Sequence, residues 1–464
     1  MRAWLFKYWE RLNSSFWFLP TLMAFAAVAL SLVTVAVDRT ATDRWLASLG
    51  WAYTGGAEGA SAVLQTIAGS MITIAGVVFS LTLVALSLAS SQFGPRLLRN
   101  FMRDTANQVV LGTFVATFLY CLMVLLHIRR PGDGAFVPSL SVTLGVVFAL
   151  ASLWVLIYYI HHVSVSIQAD EIIARVSQEL FDGIDHLFPE QLDAGGPDGD
   201  ANPAVPALIS LPDGLPPCFT RFDQDLQAVM SSSDGYLQMV DGESLLSLAC
   251  AHDVVLRIEH RPGAYVLRDS PLLTVWPAQF CSEELAAAVN GVFVLGNQRT
   301  SGQDIEFAIE QLIEIAARAL SPGVNDPFTA IACVDRLGSA LHRLARRCMP
   351  SPCHRDPQGV LRVWAPATTF AQLVDTAFNQ IRQYARRNTA VTLRLLETIA
   401  VVAPVTHCRE QRAALQRQAD MLIRGARDGL PEEEDRRAAE QRYLTASQRL
   451  SGGDDADARP GAAE

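Results

Sequence analysis

Residues 60–89 read ASAVLQTIAGSMITIAGVVFSLTLVALSLA, a run without Asp, Glu, Lys, Arg or His. About 20 apolar residues in helix cross a bilayer, so this run predicts a long transmembrane helix. Its apolar character is uneven. Thr66, Ser70, Thr73, Val77, Ser80, Val84, Ser87 and Ser91 recur at three- and four-residue steps. At about 100° per residue they fall on one stripe, with Gly69, Gly76 and Ser90 beside it. A membrane helix with one small, hydroxyl-rich seam has a face that avoids lipid. Such a face packs closely on another helix or lines water.

Three further segments pass the same test of length and hydropathy, giving spans at about 16–37, 60–89, 109–126 and 140–160. The first is read as a retained helix, not a cleaved leader. It is long and aromatic, with Trp4, Trp9 and Trp17 near the interface. Arg2, Lys7 and Arg11 precede the first span, and Arg96, Arg99 and Arg103 follow the second. The alternate loops hold only Arg39 with Arg44 and Arg129 with Arg130. The positive-inside rule then predicts a multi-pass bacterial inner-membrane protein with both termini in the cytoplasm.

The chain has 464 residues, half of them hydrophobic, enough for a membrane domain and a cytoplasmic one. The fold expected is four transmembrane helices plus a cytoplasmic α+β domain. That domain combines a small β-barrel or sandwich-like module with a helical bundle. The expected divisions are 1–160 for the membrane domain, 161–188 for a helical extension and 189–217 for a Pro/Gly/Asp-rich linker. A β-rich module follows at 218–280, a helical domain at 281–430 and a charged tail at 431–464, disordered at its end. The β reading rests on GYLQMVD, DVVLRIEH, AYVLRD and LLTVWP, with a turn at Arg261-Pro262-Gly263. Thr300 is expected to cap a helix over 301–320, with Gln303 in the reciprocal capping position.

Composition excludes several chemistries. A net charge of −10 predicts no nucleic-acid partner. Eight scattered cysteines suit free thiols in a reducing compartment. Lys7 is the only lysine, so the chain holds no Walker-A GK[ST] and no Schiff-base or carrier lysine in the cytoplasmic part. HExxH, GxSxG and GxGxxG are absent. His161-His162, and Cys348 with Cys353-His354 and His342, have loose spacing for zinc and read as ordinary surface residues. Arg343-Arg346-Arg347 and Glu432-Glu433-Glu434-Asp435 read as solvated faces. No enzyme activity, cofactor or metal is expected.

The most distinctive string is RALSPGVNDPFTA, residues 318–330. Structurally it ends one helix and starts another, Asp326 capping and Pro327 opening the second. Functionally, Arg318, Ser321, Asn325, Asp326 and Thr329 offer a polar cluster for a ligand or a neighbouring subunit, with Arg299 and Asp304 as further candidates. Arg96, Arg99 and Arg103 lie at i, i+3 and i+7 and anchor a helix at the headgroups, or form a cationic vestibule.

With residues 72–104 (ITIAGVVFSLTLVALSLASSQFGPRLLRNFMRD), 261–266 (RPGAYV) and 296–330, this string resembles a family of bacterial predicted inner-membrane proteins, grouped as domain-of-unknown-function family 2254. The resemblance covers nearly the whole chain. It implies a multi-pass membrane protein with a C-terminal domain beyond the membrane, and no catalytic residues.

Two functions compete. One is an oligomeric channel or channel-like transporter for ions or small solutes, lined by the second span and assembled or gated by the cytoplasmic domain. The absence of intramembrane charge on that span favours passive permeation over proton-coupled pumping. The other is a membrane-anchored sensor or scaffold, with the seam a small-xxx-small packing surface and the cytoplasmic domain binding a partner or small ligand.

Overall fold

The computed structural model describes residues 17–40, 53, 55–93, 105–129, 136–166, 168–188 and 225–452, with side chains 89–93 excepted. The chain divides into two compact units, Met1–Ile172 and Ile173–Glu464.

The first unit holds four helices long and apolar enough to cross a membrane: α1 (Phe18–Thr40), α2 (Ala57–Phe93), α3 (Thr105–Leu125) and α4 (Ser139–Ser166). Each lies where the hydropathy pattern places it. α3 is the central helix and packs against all three others. Its all-round apolar sequence suits that position, because a helix surrounded by helices has no polar face to spare. Two apolar clusters hold the unit, one around Leu64, Tyr120 and Val142, the other around Met71, Phe114 and Tyr159. Two buried tyrosines and an aspartate inside the bundle are paired, as a low-dielectric interior favours. The Tyr120 hydroxyl donates to the Ser141 carbonyl at 3.1 Å and meets the Thr34 hydroxyl at 3.1 Å. The Tyr159 hydroxyl donates to the Val78 carbonyl at 3.0 Å and meets the Thr82 hydroxyl at 2.7 Å. Asp38, at the end of α1, accepts from the backbone N–H groups of Leu140 and Ser141 at 3.0 and 2.9 Å. The carboxylate thereby satisfies the orphan donors at the start of α4.

The second unit opens with the rest of α5 (Ala169–Leu187), a helix separate from α4 although the pattern of apolar residues reads straight through. A β-rich module follows. β1 (Gln227–Met230), β2 (Gly235–Val240), α6 (Gly242–Ala251), β3 (Val255–Ile258), β4 (Tyr265–Val266), β5 (Pro271–Trp276), α7 (Glu283–Val292) and β6 (Phe293–Gly296) alternate strands with short helices. The strands separate into two sheets. One runs β1-β5-β3-β8-β7, the last two being β7 (Cys353–Arg355) and β8 (Leu361–Trp364); the other runs β4-β2-β6.

This corrects the barrel expectation: no closed barrel forms among the described residues. The segment GESLLSLACA folds as a helix capped by Asp241, not as a strand, and VFVLG supplies a strand, β6, where helix was expected. The strands divide between two separate sheets and so do not close on one another. The first sheet instead gains the hairpin at 353–364, with β8 parallel to β3. Leu237, Leu245, Leu256, Leu272, Val275 and Leu285 form the buried core of the module.

The remainder is helical: α8 (Ile305–Ala319), α9 (Pro327–Ala345), α10 (Phe370–Tyr384), α11 (Thr389–Val402), α12 (Arg409–Gly429) and α13 (Glu433–Ser451). α8 packs on α9 and α10, α9 on α11, α10 on α12, and α13 on both α11 and α12. The charged stretch after Leu430 is thus part of the bundle. It looked like a tail because only small or widely spaced side chains, Ala439, Ala446 and Leu450, point inward. Its acidic start, Glu433-Glu434-Asp435, complements the helix dipole. Two arginines of the row read as a solvated face are also engaged: Arg347 donates to the Asp185 carboxylate at 2.7 Å, and Arg343 stacks over the Phe181 ring at 4.3 Å. The 189–217 linker and the last dozen residues lie outside the described residues.

Candidate functional site

The seam of α2 comes first. Ala60, Leu64, Ala68, Met71, Ala75 and Val78 are buried and form the face that α2 packs into its own bundle. Thr66, Ser70, Thr73, Val77, Ser80, Val84 and Ser87 are all exposed, on the opposite side of the helix. Val77 is 54% and Val84 62% exposed. Ser91 has its backbone in the helix but its side chain lies outside the described residues, as do Arg96, Arg99 and Arg103. The seam therefore does not pack α2 against the other helices among the described residues of its unit. Its hydroxyls are not left bare. Thr66 donates to the Ala62 carbonyl at 2.7 Å and Thr73 to the Gly69 carbonyl at 2.8 Å. Both threonine hydroxyls are satisfied by the preceding turn, and the surface presents methyls, hydroxyls and glycine backbone.

The second feature is an ionic clasp in the second unit. Arg299 donates through Nε and Nη2 to both oxygens of Asp304, at 2.7 and 3.0 Å, and through Nη1 to Glu310 at 2.8 Å. Its guanidinium also lies over the Phe307 ring. Burial works against the Arg299 charge, but the two carboxylates outweigh it and raise the guanidinium pKa. Asp304 is only 4% exposed and accepts from the Phe307 N–H at 3.1 Å, capping α8. The predicted helix start at Thr300 is therefore displaced by four residues. Gln303 is also drawn elsewhere: its amide pairs with both the N–H and the carbonyl of Val240, at 2.9 and 3.1 Å. Asp304 prevails as the cap because Arg299 fixes its carboxylate in place.

Sequence reading did not find what the clasp closes on. Gly263 has φ +93°, and a Cβ there would lie 2.1 Å from the Asp304 carboxylate. Only glycine fits both the backbone conformation and the contact. Two residues earlier, Arg261 reaches Glu306 at 3.3 Å, the Thr368 hydroxyl at 3.4 Å and Gln372 at 3.1 Å. Gln372 is the reciprocal member of the capping box that starts α10. The Arg-Pro-Gly turn thus joins the β-rich module to the first turns of α8 and α10. The signal available beforehand was the string RPG itself, which has no stated partner until the fold supplies one.

The 318–330 loop is separate from this clasp. Asp326 accepts from the N–H groups of Phe328 and Thr329 at 3.1 and 3.2 Å and from the Thr329 hydroxyl at 2.6 Å. The Thr329 hydroxyl, with the two N–H donors, lowers the Asp326 pKa against a small opposing effect of burial. Asn325 sits in the left-handed region, φ 49°, and the Ser321 carbonyl receives its N–H. Arg318 pairs with Glu314 across one turn at 3.6 Å. These residues form a stiff turn that exposes Val324 and Phe328, the latter 80% exposed. No group of three or more His, Cys, Asp or Glu side chains is placed to hold a metal ion among the described residues.

A membrane bundle of four apolar helices joined to an α+β unit is the setting in which comparison with known proteins becomes informative. The family model described as Predicted membrane protein (DUF2254) matches residues 13–401. The chain belongs to this family. The match spans the four membrane helices, the β-rich module, the clasp and most of the bundle. Uncharacterized proteins of Mycobacterium bovis and Mycobacterium tuberculosis are 34% identical to the chain over 440 residues, covering 92% of it and 79% of their own length. No solved structure matches. The chain is thus a member of a predicted membrane protein family, with four apolar helices that suit that description.

Proposed function

We propose that the chain is a homo-oligomeric, channel-like protein of the bacterial inner membrane, with both termini in the cytoplasm. The seam of α2 lines its pore, and the second unit serves assembly or gating. The observation that carries this reading is the orientation of the seam. α2 packs inward through alanine, leucine, methionine and valine, while its hydroxyl and glycine side faces outward, unused by the other described residues of its unit. Lipid contact would not favour serine and threonine there over leucine. Copies brought together around an axis would turn the seam toward water, with Val77 and Val84 as apolar constrictions that gate by dewetting. The permeant species are ions or small solutes.

The bonding of Thr66 and Thr73 to their own helix supports a second reading, an anchored sensor or scaffold. A seam of small residues with its threonine hydroxyls already satisfied packs against a second copy at small cost. One experiment separates the two. Purified protein in liposomes is assayed for ion flux, wild type beside Ser80→Trp, at matched folded protein. Ser80 is exposed in the single chain, so the substitution leaves each protomer folded. A pore gives flux in the wild type and none in the variant. A packing seam gives no flux in either and loss of oligomer in the variant. Equal flux in both proteins would refute the pore reading.

A further inference from the structure

A cleft of about 820 Å³ opens within the second unit, beside the clasp. Its walls come from the β-rich module, the start of α8, and the segments before β7 and after β8. Volumes of this order accept a small organic molecule. The apolar part of the lining includes Leu187, Leu246, Ile258, Pro350, Val363 and Pro366.

The polar lining has a sign. Glu243, Glu259, Asp304, Glu306 and Glu310 face two cations, Arg261 and Arg299. Both guanidiniums are committed to the clasp, Arg299 to Asp304 and Glu310, Arg261 to Glu306, Thr368 and Gln372. An anionic ligand would have to break those pairs. Acceptors, by contrast, remain available. The Glu243 carboxylate has no partner among the described residues. Glu259 makes its bonds to Arg257 and Thr274 through one oxygen, leaving the other uncommitted. The His260 Nε2 is shielded from solvent and has no hydrogen-bond partner. A buried polar atom without a partner is uncommon, and this one, on a residue of the cleft wall, is reached when a ligand displaces its cover.

We propose that this cleft binds an amphipathic organic cation: a protonated amine seated toward Glu243, Glu259 and His260, with an apolar body against the leucine, isoleucine and proline lining. The unpartnered Glu243 carboxylate and the uncommitted Glu259 oxygen select an ammonium group, and the apolar wall excludes fully hydrated inorganic cations. Arg299 and Asp304 then act as the frame of the site, not as its ligand contacts. The inference is independent of the pore, since every residue it uses lies in the second unit.

The test is calorimetric titration of the full-length protein in nanodiscs, with empty nanodiscs as the blank. The probes are tryptamine, its neutral analogue tryptophol and its anionic analogue indole-3-propionate. Tryptamine is expected to bind saturably and stoichiometrically, tryptophol more weakly, and indole-3-propionate not at all. Glu243→Gln, on an exposed side chain, should weaken tryptamine about tenfold without affecting folding. Ala367→Trp, which fills the cleft, should abolish it. Circular dichroism and thermal melting confirm that both variants fold. The proposal is overturned if no probe saturates, if indole-3-propionate binds as well as tryptamine, or if tryptamine binds both folded variants as it binds wild type.

Discussion

Removing the Asp304 carboxylate is the most direct test of how the second unit holds together. Asp304→Ala deletes the α8 cap, worth about 1 kcal/mol. It also leaves Arg299, 18% exposed, with Glu310 as its remaining carboxylate partner. Breaking a buried pair by removing one member costs about 3–5 kcal/mol, and the residual exposure of Arg299 places this case near the lower end. The consequence should be local. The Arg-Pro-Gly turn is held to β2 by two backbone bonds, Gly263 N–H to the Leu237 carbonyl at 2.7 Å and Leu237 N–H to the Ala264 carbonyl at 2.9 Å. Hydrogen exchange on the full-length protein reads these amides in peptides covering 235–241 and 261–267. A loss of about 3 kcal/mol in local opening accelerates their exchange about 100-fold, while peptides from α11 to α13 keep their wild-type protection. Asp304→Asn retains a cap acceptor and should accelerate exchange less. Pairing Asp304→Asn with Arg299→Met removes the guanidinium that has lost its bidentate carboxylate partner and should recover part of the loss, giving a non-additive cycle. Exchange in both peptides within about threefold of wild type would refute the clasp as the tie between module and helices. So would equal acceleration across the whole unit.

Other perturbations have equally definite signs. Gly338→Ala brings a Cβ to 2.5 Å from the Thr398 methyl where α9 crosses α11, and overpacking of this kind costs about 1–3 kcal/mol; adding Thr398→Ser should restore most of the lost melting temperature. Because the folded-state pKa of Asp326 is depressed, its contribution is fully present above the ordinary carboxylate value of about 4 and is lost as pH falls through the lower folded value. Hydrogen exchange of residues 321–329 should therefore rise with acidification in wild type, after correction for the intrinsic rate, and Asp326→Asn should remove that dependence. Val78→Ser, on the packed face of α2, should lower the melting temperature of the membrane unit, whereas Ser80→Ala on the exposed seam should leave it unchanged; the opposite ranking would reverse the assignment of the two faces.

The sequence by itself determined the membrane unit. Hydrocarbon leaves helix as the one self-satisfied conformation for a lone apolar span, so length and absence of charge located all four helices. The helix boundary at Asp326-Pro327 was equally legible, because capping and proline act over neighbouring residues. Wherever a residue had to choose between local and distant partners, the chain alone was ambiguous. Thr300 and Gln303 carry a sound capping pattern, yet Asp304 caps α8 because Arg299 and Gly263 hold it there. GESLLSLACA lies inside the stretch read as β-rich, yet Asp241 caps it as a helix, with β2 and β3 in different sheets. The Glu433–Ser451 helix looks too polar to pack, yet Ala439, Ala446 and Leu450 point inward while Arg442, Tyr443 and Arg449 bond to Glu397, Asp420 and the Ala400 carbonyl on α11 and α12. Periodicity showed that α2 has a seam; only the packed bundle decided which way it faces. Local pattern sets what a segment can form, and the partners that complete its hydrogen bonds and cover its apolar face arrive from residues far along the chain.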